Sequence, residues 1–98
     1  MSEQSIGLLE VKGLIAAVEA TDAMVKSATV SYVGCKTTGE TVLVVISGDY
    51  GSVCACLEIG MRQAQSFGEN VTKHVVAIPH ADTKKVLEDL LSSSTPLS

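Results

Sequence analysis

Aromatic rings are nearly missing from this chain: tryptophan is absent, phenylalanine occurs once and tyrosine twice in 98 residues. Proteins that read single-stranded nucleic acid stack bases on rings displayed along their strands, and Tyr32 is the lone aromatic in a strand-like run, so that class is excluded. Basic residues are also few. Seven Lys and Arg stand against eleven Asp and Glu, for a net charge of −4. No cluster of them forms the patch that a phosphate backbone or an anionic membrane surface requires. No apolar run approaches the ~20 residues of a membrane span, and Met-Ser-Glu-Gln lacks the basic start of a signal peptide, so a cytoplasmic location is expected. Cysteines number three, an odd count that fits reduced thiols rather than a disulfide framework.

Reactive constellations are missing too. Glu10, Asp22, Lys26 and His74 titrate, but no spacing brings a nucleophile, a base and an orienting group together, and no enzyme activity is expected. Gly48-Asp49-Tyr50-Gly51 opens a helix with two glycines and no lysine, which does not make a phosphate loop. Cys54 and Cys56 sit about 200° apart around a helix and cannot share a disulfide or a metal; they read as small core-filling residues. His74 and His80 share strand parity but flank Pro79, and a hydrogen-bonded structural role is expected of them. No cofactor and no metal are expected. Cys35, at the start of a hairpin loop, is a weak metal candidate that would need symmetry to gather several copies.

What the chain has is aliphatic bulk. Hydrophobic residues make up 46% and mean hydropathy is +0.34, carried by Ala, Val, Leu and Ile. A domain this small buries only about 60–65% of its unfolded surface. The surplus points to an oligomer.

The order of elements can be read directly. Ile6–Val11 is an apolar strand that meets Gly13 and changes at once to a helical period. Leu14, Val18, Val25 and Ala28 fall on one helical stripe, with Ala16, Ala17, Ala20 and Ala23 keeping the helix slim. Asp22 and Lys26 form an i,i+4 pair off that stripe. Thr29–Gly34 is a strand, Cys35–Thr41 a polar hairpin loop, and Thr41–Ser47 a central strand, apolar on both faces. Asp49 caps a helix from about Tyr50 to Phe67 whose buried face is Val53, Leu57, Gly60, Ala64 and Phe67, with Gly68 past its end. Val71–Ile78 is a fourth strand closed by Pro79. Asp82 caps a last helix carrying Val86, Leu87, Leu90 and Leu91. The order is β-α-β-β-α-β with an added C-terminal helix: an α+β, ferredoxin-like core in which both core helices lie on one face of an antiparallel sheet. One domain is expected over 1–91, with a flexible tail over 92–98.

The runs IGLLEVKGLIAAVEATDAMVKSA at 6–28, VG at 33–34, GDYGSV at 48–53 and PH at 79–80 resemble a bacterial microcompartment shell protein of the single-domain, hexamer-forming type. The resemblance spans about Ile6 to Leu90. It implies a flat ring of six copies whose edges meet neighbouring rings to tile a shell around enzymes, with other shell proteins and the enclosed enzymes as partners. By position it makes Lys26 the lysine at the hexamer edge. Ile78 stands where the family commonly has an arginine before Pro-His, which removes a planar five-donor group and leaves His80 at that contact. The hairpin, Lys36-Thr37-Thr38-Gly39-Glu40, matches the family's pore loop, with a single Gly in place of a Gly-Ser-Gly-like segment. Carboxylates converging on an axis repel by up to about 1 kcal/mol per close pair in water. Glu40 is therefore expected to tilt away or pair with Lys36, leaving hydroxyls and the Gly39 amide for small polar metabolites.

Two other readings compete. A small-molecule-binding regulatory module of ferredoxin-like fold, ACT-type or trimeric, would be a dimer or trimer. An electron-transfer variant would gather Cys35 sites on a symmetry axis.

Overall fold

Gly13 ends the first strand. Its φ of +110° is a conformation that L side chains rarely adopt, and it turns β1 (Glu3–Lys12) into α1 (Leu14–Ser27). The computed structural model describes residues 3–27, 30–67, 71–79 and 82–92. After α1 come β2 (Ser31–Thr38), β3 (Thr41–Gly48), α2 (Tyr50–Gln65), β4 (Val71–Pro79) and α3 (Thr83–Ser92). The sheet runs β2-β3-β1-β4 with every neighbour antiparallel, which is the expected α+β arrangement. Residues 93–98, most of the segment read as a tail, lie outside the described residues, and α3 runs through Ser92.

Strand pleating sorts the core. Leu9 and Val11 of β1, with Val42, Val44 and Ile46 of β3, point to one face and are buried beneath α1 and α2. Helix α2 approaches the sheet closely at Gly7. A Cβ there would stand 2.7 Å from Val53 Cγ1 on α2 and 3.0 Å from Ile46 Cγ1 on β3. On the opposite face Ile6 and Val45 are buried, and α3 meets β2 where Leu91 seats on Gly34.

Two expectations about the helices are corrected. In α1 the buried residues are Ala16, Ala17, Ala20 and Met24, whereas Leu14, Val18 and Val25 are 65%, 56% and 54% exposed. The stripe exists but faces outward, because the slim alanine face is the one that lets α1 approach α2 and the sheet; Ala28 lies outside the described residues. In α2, Val53, Leu57, Gly60 and Ala64 are buried as expected, Cys56 joins them, and Phe67 lies exposed beyond the helix end. The Cys56 thiol donates to the Met24 carbonyl at 3.6 Å, a tie between the two helices, and burial pushes its pKa up.

The cap is as expected. Asp49 is extended and accepts from the Ser52 backbone N–H at 3.0 Å. The Ser52 hydroxyl and N–H together hold the Asp49 carboxyl below its ordinary range. A carboxylate whose folded pKa is depressed stabilises above its unfolded value, near pH 4, and loses that contribution as pH falls through the folded value. Asp49→Ala should lower the thermal midpoint at neutral pH and flatten its acid limb, whereas Asp49→Asn should retain most of the neutral-pH stability. Thermal melts of the three proteins between pH 3 and 7 check this.

Candidate functional site

The subunit has a hairpin end, an opposite end and two flanks. At the hairpin end β2 continues through Thr38, so the expected loop over Cys35–Thr41 contracts to Gly39 and Glu40. Cys35 pairs with Val44, and Lys36, Thr37 and Thr38 pair with Leu43, Val42 and Thr41. Cys35 is thus a strand residue, four positions from the turn. Gly39 has φ +62° and Glu40 a negative φ, the pattern of a type II′ turn.

One hydrogen bond and one exposed ion pair meet at the tip. The Gly13 N–H donates to the Glu40 carbonyl at 2.8 Å, and Glu40 Oε1 lies 3.8 Å from Lys12 Nζ. Lys12 is a partner that the sequence alone does not name, since it requires β1 to end beside the turn. Thr37, Thr38 and Gly39 are exposed around this carboxylate. A Cβ at Gly39 would meet nothing within 4 Å, so Gly39→Ala carries backbone strain alone. Denaturant titration should show a loss of about 1–2 kcal/mol, and a smaller one for Gly39→Asn.

The opposite end holds the expected edge residues. Lys26 Nζ lies 3.0 Å from Asp22 Oδ2, both exposed, and that carboxylate raises the lysine's pKa. Ile78 stands in β4 opposite Gln4 of β1; its side chain and His80 lie outside the described residues. The helix α1 leaves the hairpin end at Leu14 and finishes just before β2 begins, so Lys26 and Ile78 both lie away from the turn.

Between the ends, the exposed large hydrophobics separate onto two unlike flanks. Leu14, Ile15, Val18, Val25 and Tyr32 belong to α1 and β2; Tyr50, Phe67 and Val76 belong to the α2 and β4 side. The first flank contains a groove of about 360 Å³ between the α1 stripe and the helix-facing side of β2, where Tyr32, Cys35 and Thr37 have no helix above them. The Tyr32 hydroxyl bonds to the Cys35 sulfur, which with burial and the thiolate charge pushes the tyrosine up to about 12. On the second flank Lys73 Nζ lies 2.7 Å from Glu58 Oε2, which raises the lysine's pKa and lowers the carboxyl's. Among the described residues, no group of three or more His, Cys, Asp and Glu is placed to hold a metal ion, and no helix is long and apolar enough to cross a membrane. His74 is exposed, 3.9 Å from Glu10.

Residues 5–79 match the BMC domain. The chain belongs to the BMC domain family. Members that it resembles include the bacterial microcompartment shell protein PduA of Citrobacter freundii, 44% identical over 88 residues covering 89% of this chain and 95% of that one. Another is the bacterial microcompartment shell protein EutM of Escherichia coli strain K12, 39% identical over 84 residues, 85% of this chain and 87% of that one. A solved microcompartment protein from Desulfitobacterium hafniense superposes with a TM-score of 0.69 at 32% identity, over 97% of this chain; the chain spans half that protein's length. This BMC domain protein is therefore a shell protein of bacterial microcompartments, and its α+β core with an added helix is the BMC fold. The BMC match covers β1 through β4, including the hairpin and both flanks, and stops before α3.

Proposed function

We propose that this protein is a non-enzymatic shell tile that closes into a ring of six copies around a central pore and tiles edge to edge in the shell facet. The observation that carries this reading is the division of exposed apolar surface onto two unlike flanks. A self-complementary patch makes a two-fold dimer. Two different patches on opposite sides of one subunit make a head-to-tail contact, which closes into a ring when the rotation permits. The described fold fits a wedge within such a ring, since the tight hairpin lies at one end, Lys26 and Ile78 at the other, and the apolar flanks between. The slab measures 38 × 32 × 18 Å, a flat shape for a facet.

With the hairpin innermost, Lys36, Thr37, Thr38, Gly39 and Glu40 line the pore. Glu40 lies 3.8 Å from Lys12, an exposed ion pair that offsets part of its charge, and exposed threonine hydroxyls beside it meet small polar metabolites. Lys26, Ile78 and His80 form the outer edge against neighbouring rings, other shell proteins lie in the same cytoplasmic shell, and the enzymes lie inside it. Sedimentation velocity tests the copy number. Six times the 10.2 kDa subunit supports the tile, and a stable dimer or trimer supports the regulatory module instead.

A further inference from the structure

The rows of the sheet say which residues meet at each joint of the ring; this step rests on the ring reading above. The register sets Cys35 of β2 level with Val44, Leu9 and Lys73 of β4, and sets Tyr32 level with Ile46, Gly7 and Val75. Cys35 and Lys73 are therefore the two ends of one cross-sheet row. Both belong to the helix side of the sheet: Cys35 lines the groove beside α1, and Lys73 reaches Glu58 on α2. In a wedge whose strands run outward from the hairpin, the two ends of a row lie at about the same distance from the axis. At a joint, β2 of one copy faces β4 of the next at matching radius.

We propose that each joint seats the Lys73–Glu58 ion pair of one copy over Cys35 and Tyr32 of its neighbour, so that the second copy supplies the roof that β2 lacks. Three observations agree with a second copy as occupant. The groove is lined by α1 on one side and by β2 on the other, and no α2 residue lines it. Its walls are aliphatic and its polar atoms are the Tyr32 hydroxyl, the Cys35 thiol and the Thr37 and Thr21 hydroxyls, with Asp22 at the rim. The opposing flank offers the Lys73 ammonium, bonded to Glu58 at 2.7 Å with the lysine side chain 37% exposed, a donor for those oxygen and sulfur atoms.

Cross-linking tests the register. In a Cys54→Ser background, which removes the thiol nearest Lys73 within one chain, Lys73→Cys is oxidised, and in parallel treated with a flexible bis-maleimide that tolerates imperfect disulfide geometry. The expected result is a covalent ladder from dimer to hexamer that disappears when Cys35→Ser is added. In the unmodified ring, Cys35 should resist a thiol reagent until the ring is dissociated. A six-copy particle that gives no Cys35-dependent product with either reagent overturns the register and leaves the ring intact. A particle that never forms a ring removes the ring reading itself.

Discussion

Val18→Asp should yield a folded subunit that no longer assembles. Val18 is 56% exposed in the single subunit, and exposed substitutions of this kind usually shift subunit stability by within about 0.5 kcal/mol. The circular dichroism spectrum should be unchanged. In the proposed ring the same position lies inside the joint. Losing a buried valine costs about 1.5–3 kcal/mol, and burying an unpaired carboxylate adds several more. Each 1.4 kcal/mol is tenfold in affinity, so every joint weakens by roughly a thousandfold or more. Sedimentation should move from a ring to a monomer, and Val18→Ile should leave the ring intact.

The second large effect lies in the core. Gly7→Val places a branched side chain where even a Cβ would stand 2.7 Å from Val53 Cγ1, 3.0 Å from Ile46 Cγ1 and 3.1 Å from Leu57 Cδ1. These atoms belong to two elements pressed on β1 from different directions, so no single rotamer change relieves the crowding. Overpacking of this kind costs about 1–3 kcal/mol, and valine should reach the upper part of that range. Gly60→Ala is the contrast. There the crowded partners are mainly the Met24 thioether atoms, which are flexible, and alanine in a helix interior recovers about 1 kcal/mol over glycine. Urea denaturation should place Gly60→Ala within about 1 kcal/mol of the unmodified protein and Gly7→Val well below both.

Sequence reasoning read the elements well and their faces less well, for physical reasons. The turn at Gly13, the Asp49 cap and the apolar run of β3 are local signals, set by backbone geometry and by burial on both sides of a strand. Which face of α1 is covered is not local. Leu14, Val18 and Val25 make a convincing buried stripe until Ala16, Ala17, Ala20 and Met24 are seen beneath α2, and the choice between them is made by the neighbour. The aliphatic stripe stays exposed on the single subunit, and in the proposed ring a second subunit covers it. Residues Lys36–Thr38 read as loop because an edge strand with exposed faces needs no apolar alternation. Their strand character comes from pairing with β3, 3 to 7 residues further along the chain. The pairing of Glu40 with Lys12 was hidden for the same reason, since 28 positions of sequence separate two residues that the β1–β3 register makes neighbours. Cys35 moved most: what looked like a loop thiol is a strand residue on a flank.

Imaging the assembled particle at a resolution that traces strands tests the central claim most directly. A ring of six with Gly39 and Glu40 nearest the axis and the α1 stripe covered at every joint is the result predicted. A ring whose innermost segment is another part of the chain, or a subunit that stays alone at high concentration with the hairpin in open solvent, would contradict it.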